Sequence, residues 1–390
     1  MDITLLGTGA PEGLPVPGCP CARCAQAVGP AARAATSVLV DGVLLLDLTP
    51  AVARAAAHAG KSLGRVLQVL LTHPADGPAV DVPPGLPAPA RAADGEELTL
   101  LSGHRVRAVA VDVPGTGYAV TGPDGDRLLY LPPGAAVAGA GQDRPYGMVL
   151  MDVTGRPDAL ARLRAEGWAD PATEVVGVHL GHDAPPRGEL HRQLAAAGAR
   201  AALDGATLSV GAGRPPVVPR RTLVLGGARS GKSVEAERRL ATYPDVEYVA
   251  TGGTRAGDAE WALRVREHRD RRPASWRTTE TCDLVPLLAA DGPPLLIDCL
   301  SLWLTYAMDE ADSWNGGDVT PYTDGLVEAF RATRRTVVAV SNEVGSGVVP
   351  ATPAGRLFRD ELGRLNAAVA YECEEVLLVV AGRAVGLPGL

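Results

Sequence analysis

The stretch Gly226-Gly227-Ala228-Arg229-Ser230-Gly231-Lys232-Ser233 decides the reading of this chain. It fills the phosphate-loop pattern Gly-x-x-x-x-Gly-Lys-Ser at every fixed position. Thr222-Leu223-Val224-Leu225 before it reads as a short buried strand, and Val234 to Leu240 after it as a helix. Glycines let the backbone turn tightly, so that amide N–H groups converge on a phosphate. The helix N-terminus adds partial positive charge there. A plain turn between strand and helix gains nothing from Lys-Ser after the last glycine. The pattern therefore predicts nucleotide binding, with Lys232 on the β and γ phosphates and Ser233 holding Mg²⁺.

Downstream of the loop, Glu247 to Ala250, Leu295 to Asp298, Thr336 to Val340 and Val376 to Val380 are further apolar strand candidates, with helical segments between them. Continuous apolar strands alternating with helices predict a mostly parallel sheet covered on both faces. Asp298 ends Leu295-Leu296-Ile297, where a phosphate-loop enzyme carries an acid near Mg²⁺. Upstream, residues 214–220 form a Pro-rich join without periodicity, which reads as a linker between domains at 1–213 and 221–390.

The first half is richer in strands. Met1 to Leu6 reads as a strand, Ser37 to Val40 and Val43 to Asp47 as a hairpin turning at Asp41-Gly42, and Ala51 to His58 as a helix. Strands follow at Val66 to Thr72, Val106 to Val111, Gly117 to Val120, Leu128 to Leu131, Met148 to Val153, Val175 to His179 and Leu208 to Val210. Helices fall at Pro157 to Glu166 and Gly188 to Ala197. This is a mixed α/β layered domain.

Composition bounds the rest. With 390 residues, 46% hydrophobic and 21% charged, the chain is globular and long enough for two cores. Aromatics are only 4%, so the cores rest on Ala, Val and Leu. A net charge of −8 argues against broad nucleic-acid binding. No targeting signal or membrane-spanning run is seen, and a cytoplasmic protein is expected. Of six cysteines, Cys19, Cys21 and Cys24 crowd one loop. They lack one ligand of a closed tetrahedral zinc site.

Several ordered stretches in the second half carry a resemblance: Tyr248-Val249-Ala250-Thr251, Arg264-Val265-Arg266-Glu267-His268-Arg269-Asp270-Arg271-Arg272-Pro273, Trp276 to Glu280, Asp298-Cys299-Leu300, Ser341 to Pro350 and Phe358 to Asn366. With the phosphate loop, this set resembles the bifunctional adenosylcobinamide kinases and adenosylcobinamide-phosphate guanylyltransferases of cobalamin synthesis. The resemblance covers nearly the whole second half. It implies a P-loop enzyme that phosphorylates adenosylcobinamide with ATP or GTP and then transfers GMP from GTP to that phosphate. It makes His268 the covalent carrier of GMP. A neutral imidazole is a fair nucleophile near pH 7, and neighbouring arginines would stabilise phosphoryl oxygens. The same resemblance places nucleotide contacts at Gly226, Gly227, Ala228, Arg229, Ser230, Gly231, Lys232, Ser233, Ala250, Thr251, Gly252, Arg269, Asp270, Arg271, Arg272, Glu280 and Asp298. Asn342-Glu343-Val344-Gly345 follows a buried strand at its C-terminal end, where open α/β sheets bind ligands, and reads as part of the corrinoid-side wall; the resemblance suggests a homotrimer. Taken alone, the arginine run would be a solvated helix face and His268 a core histidine spaced with Trp261 and Val265.

In the first half, Thr4-Leu5-Leu6-Gly7-Thr8-Gly9, the cysteine loop and Leu71-Thr72-His73 look like the metallo-β-lactamase fold, an αββα sandwich, and closest to phosphodiesterases related to the cyclic ribosyl-phosphate enzyme. That family holds two metals with His-x-His-x-Asp-His, whereas this chain reads His73-Pro74-Ala75-Asp76-Gly77-Pro78. His179 matches a late ligand, but two histidines do not make a two-metal hydrolase. The resemblance therefore implies a catalytically degenerate domain. It also implies a structural zinc on Cys19, Cys21 and Cys24, with His182 as the fourth ligand. Two other readings remain open at this point: a nucleotide-switch binding protein, and a live phosphodiesterase in the first half.

Overall fold

The computed structural model describes residues 1–74, 81–139, 144–253, 266, 270 and 272–388. The chain divides into two compact units, Met1–Val218 and Pro219–Leu390.

The first unit holds two sheets. One has β1 (Asp2–Gly7), β2 (Ser37–Val40), β3 (Leu44–Leu46), β4 (Gln68–Leu70) and β12 (Thr207–Ser209), in the order β12-β1-β2-β3-β4. The other has β5 (Glu97–Thr99), β6 (Arg105–Ala110), β7 (Thr116–Thr121), β8 (Arg127–Tyr130), β9 (Met148–Met151), β10 (Glu174–Gly177) and β11 (Ala199–Ala201), ordered from β11 back to β5. Side chains alternate across each strand, and along β2, β3, β8 and β9 both faces carry apolar residues. Val38, Val40, Leu44 and Leu46 meet Leu128, Tyr130, Met148 and Leu150 between the sheets. Leu39 and Leu45 face the other way, onto Val52 and Ala56 of α2 (Val52–His58). Leu129, Val149 and Met151 pack under Leu160 and Leu163 of α3 (Pro157–Ala165) and under Leu190 and Leu194 of α4 (Arg187–Ala196). The layers are thus α, β, β, α. The hairpin turns where expected: Asp41 and Gly42 are both left-handed, at φ 46° and 72°, and the Val43 N–H closes the turn on the Val40 carbonyl at 2.9 Å.

The second unit holds one sheet, ordered β15-β14-β16-β17-β13-β18-β19. Its strands are β13 (Arg221–Gly226), β14 (Glu247–Ala250), β15 (Arg277–Glu280), β16 (Leu295–Asp298), β17 (Val337–Asn342), β18 (Glu375–Val380) and β19 (Arg383–Leu387). All neighbours pair parallel except β18 with β19. On one face Leu223, Leu225, Ile297 and Ala339 meet α6 (Leu284–Ala289), α7 (Leu300–Glu310), α8 (Thr320–Ala332) and α9 (Pro353–Tyr371). On the other, Val224, Leu296 and Val338 pack on Ala236 and Leu240 of α5 (Lys232–Leu240). Sequence reasoning assigned nothing to the tail and did not see β15; the first is an antiparallel edge strand, the second a polar one.

Candidate active site

β13 lies inside the sheet, between β17 and β18, and delivers its last residue to the C-terminal edge. Open α/β sheets bind ligands at this edge. Gly226 must be glycine, because a Cβ there would stand 2.7 Å from the Val379 carbonyl oxygen and 2.4 Å from Ser230 Oγ. Gly231, at φ 98°, turns the chain into α5. The Ser230 carbonyl accepts the Gly382 N–H at 2.9 Å, so the β18–β19 turn braces the loop from behind. Gly227, Ala228 and Arg229 face solvent. Lys232 Nζ donates to the Gly227 carbonyl oxygen at 3.0 Å, which folds the ammonium across the mouth of the loop. Ser230 Oγ is buried without a hydrogen-bond partner. The loop therefore has the shape of an anion cradle, with its lysine held by a neutral oxygen that a charged phosphate would replace.

Three of the predicted contacts come abreast at the same edge. The register aligns Ala250 with Glu280 on one side and with Asp298 on the other. Strand spacing then sets the Glu280 and Asp298 backbones about 10 Å apart. Glu280 is exposed. Asp298 Oδ2 accepts the Tyr248 hydroxyl at 2.9 Å. Burial pushes the Tyr248 phenol well above its ordinary value, and the Asp298 carboxylate adds to this. The Arg272 guanidinium lies 3.6 Å from the centre of the Tyr248 ring. Tyr248 thus links the arginine run to the acidic residue, a role that its apolar strand setting did not signal. Thr251 is buried, and its hydroxyl both donates to the Cys299 carbonyl at 2.7 Å and accepts the Cys299 N–H at 2.9 Å. Its side chain ties β14 to the end of β16. Gly252 follows half-buried, and Asp270 is exposed. His268, Arg269 and Arg271 lie outside the described residues.

Asn342 is the ladder partner of Gly226. Its Nδ2 donates to Ser301 Oγ at 2.9 Å, and its carbonyl accepts Asn366 Nδ2 at 3.0 Å. Asn366 Oδ1 and Ser341 Oγ are buried without partners. Glu343 Oε1 accepts the Gly345 and Ser346 N–H groups at 2.7 and 3.2 Å, which shapes the loop beyond β17.

In the first unit, Cys19, Cys21, Cys24 and His182 bring one ligand atom each within 4.8 Å of one another. His182 Nδ1 stands 3.3, 3.8 and 3.7 Å from the three sulfurs in that order. Zn–S near 2.3 Å and Zn–N near 2.0–2.1 Å give a tetrahedral S···N edge of about 3.6 Å. The four atoms therefore fit one zinc ion. Backbone N–H groups point at two of the sulfurs, from Cys24 to Cys21 at 3.4 Å and from Val16 to Cys24 at 3.3 Å. The Cys24 N–H lowers the Cys21 thiol to about 7, whereas burial raises that of Cys24. His179 behaves differently. Its Nε2 sits 3.0 Å from the Leu131 carbonyl oxygen, where it must carry a proton, which leaves Nδ1 as the nitrogen with a lone pair. Burial holds the His179 ring below its ordinary pKa. Asp47 accepts the Thr72 N–H, the Thr72 hydroxyl and the Tyr130 hydroxyl at 2.7, 2.8 and 2.7 Å, with His73 Nδ1 4.0 Å away.

Residues 222–387 match the family described as cobinamide kinase / cobinamide phosphate guanyltransferase. The bifunctional adenosylcobalamin biosynthesis protein CobP of Pseudomonas aeruginosa is 43% identical over 176 residues, which is 43% of this chain and 98% of that protein. CobU of Salmonella typhimurium, also a bifunctional adenosylcobalamin biosynthesis protein, is 38% identical over 174 residues, 41% of this chain and 95% of that one. Among solved structures, a diphosphatase of the PhnP family aligns over 53% of this chain and 97% of its own, at 20% identity and a TM-score of 0.39. Zinc-bound PqqB of Methylobacterium extorquens aligns over 54% and 100%, at 20% identity and a TM-score of 0.40. The four-layer architecture of the first unit rests on its own strand order and cores.

Proposed function

This chain belongs to the cobinamide kinase / cobinamide phosphate guanyltransferase family of cobalamin biosynthesis, and from that premise we propose how its residues divide the two reactions. The nucleotide phosphates sit on Gly226 through Ser233, with their charge at the start of α5. Lys232 exchanges the Gly227 carbonyl for phosphate oxygens; a hydrogen bond to a charged group contributes about 1.5–3 kcal/mol against about 0.5–1.5 for a neutral one. Ser233 and Asp298 are the side chains that would hold Mg²⁺, which supplies charge neutralisation between phosphates.

In the kinase step, the cobinamide hydroxyl oxygen bonds to the γ-phosphorus, the bond to the β-phosphate oxygen breaks, and the hydroxyl proton is released. In the guanylyl step, an imidazole nitrogen of His268 bonds to the α-phosphorus of GTP and pyrophosphate leaves. A phosphate oxygen of adenosylcobinamide phosphate then takes GMP from His268, which restores the imidazole and gives adenosylcobinamide-GDP. Arg272, stacked on Tyr248, and the neighbouring Arg269 and Arg271 are assigned to the transferring phosphoryl oxygens. Ala250, Thr251, Gly252, Asp270 and Glu280 complete the nucleotide side, and Asn342 with Glu343 the corrinoid side.

The first unit is assigned a structural zinc on Cys19, Cys21, Cys24 and His182 and no hydrolytic role. The observation that carries the reading is the braced loop: a glycine that tolerates no Cβ, a left-handed entry to α5 and a lysine folded over the mouth. Purified protein incubated with adenosylcobinamide, GTP and Mg²⁺, followed by mass analysis of the corrinoid, tests it. Adenosylcobinamide phosphate and then adenosylcobinamide-GDP are expected; unchanged corrinoid would refute the assignment.

A further inference from the structure

The proposed reactions leave unused the β5–β8 end of the larger sheet in the first unit. There the outer face opens into a cleft of about 520 Å³ lined by Glu97, Arg105, Arg107, Thr121, Arg127 and Arg144, among others. Val106, Ala108, Val120 and Leu128 point into the core between the sheets, so the residues alternating with them project from the opposite face. The register aligns Arg105 with Thr121 and Thr121 with Arg127, one row across three strands. Strand geometry puts the Arg105 and Arg127 backbones about 10 Å apart, with Arg107 about 7 Å along from Arg105.

The side chains differ in how they are held. Arg127 is fixed: its guanidinium lies 4.3 Å from the Tyr146 ring centre and donates to the Arg144 carbonyl. Tyr146 stacks in turn on Trp168 at 5.8 Å. The Arg105 and Arg107 side chains make no hydrogen bond or ion pair among the described residues. Glu97 faces Arg107 in register, yet no ion pair joins them. Among the described residues that line it, four guanidinium groups face one carboxylate, which makes the lining positive in a chain of net charge −8. Guanidinium forks match phosphate oxygens in pairs. One phosphate would satisfy one or two of these groups; their spread matches several phosphates in a row.

We propose that this cleft binds an oligophosphate chain, either inorganic or as the tail of a nucleoside triphosphate. The full-length chain carrying Lys232→Ala, which disables the phosphate loop, is titrated calorimetrically with sodium tripolyphosphate and separately with GTP. Saturable binding that weakens with added salt is expected. Adding Arg105→Gln and Arg107→Gln should weaken it at least ten-fold, whereas Arg105→Lys with Arg107→Lys should retain part of it. Equal affinity for the two ligands identifies the bare chain as the determinant, and tighter GTP binding adds a nucleoside contact. In an otherwise unaltered chain, Arg105→Gln with Arg107→Gln should leave corrinoid phosphorylation unchanged. The absence of saturable binding to the Lys232→Ala chain would overturn the proposal. So would binding indifferent to the glutamine pair in protein whose circular dichroism and melting are unaltered.

Discussion

Gly226→Ala and Gly227→Ala differ by one position and should differ sharply in effect. A Cβ at Gly226 meets Ser230 Oγ at 2.4 Å, the Val379 carbonyl oxygen at 2.7 Å and Ser230 Cβ at 3.2 Å. The hydroxyl can rotate aside, but the carbonyl belongs to β18, which pairs with β13 from Thr222 to Gly226. It can give way only if that ladder opens. A Cβ at Gly227 meets nothing within 4 Å. Overpacking of this kind costs about 1–3 kcal/mol, whereas an exposed substitution stays within about 0.5 kcal/mol. Two units in one chain need not melt as a single transition, so a local readout is needed. Hydrogen exchange followed by mass spectrometry on peptides covering 221–231 and 375–382 supplies it. Gly226→Ala should speed exchange there by roughly five- to hundred-fold, the range that corresponds to this energy at ten-fold per 1.4 kcal/mol. Gly227→Ala should leave exchange at the wild-type rate. Equal protection in the two variants would refute the argument that Gly226 is required by close approach to β18.

Two other expectations follow from single contacts. The purified chain should hold about one zinc, as one closed Cys₃His site requires. Cys21→Ser should release it and destabilise the first unit by a few kcal/mol, a fraction of the roughly 10–16 kcal/mol with which zinc-finger peptides hold the ion; metal analysis with melting checks this, and metal-free wild-type protein would contradict it. Tyr248 has a folded pKa raised by burial and by Asp298. Its contribution to stability is present below the unfolded tyrosine value of about 10 and is lost as pH rises above it. Unfolding measured between about pH 9 and about pH 11.5 should lose up to about 1.4 kcal/mol per pH unit through this residue. Tyr248→Phe should remove that part of the slope, and an unaltered slope would count against the buried Tyr248–Asp298 pair.

What was legible in the sequence depended on how locally the chemistry is written. Gly226 to Ser233 and the three cysteines could be read because their functions demand given residue types a few positions apart. The buried strands could be read because Leu44 to Leu46 and Leu295 to Ile297 are apolar without interruption. β15 could not, since Arg277-Thr278-Thr279-Glu280 is a polar strand that stands last in the described sheet, beside β14. β19 depends on a turn in which Ala381 takes φ 51° and Gly382 φ 74°, and an alanine in that position gives no warning. β5 and β11 are three residues each, too short for a period to show. Tyr248 is tied to Asp298 fifty residues away. His179 Nε2 is committed to a backbone carbonyl, that of Leu131, a partner that no side-chain pattern reveals. The arginine cleft needed the register of three strands before Arg105 and Arg127 could be seen side by side.

Guanylyl transfer is proposed to run through His268. It is tested most directly by mixing the full chain with GTP labelled at the α-phosphate in a single turnover, without corrinoid, and mapping the labelled peptide. Acid-labile, base-stable label on a peptide containing His268, lost in His268→Ala and discharged by adenosylcobinamide phosphate, is the predicted result. Covalent label that persists in His268→Ala, or wild-type protein that makes adenosylcobinamide-GDP without ever becoming labelled, would contradict it.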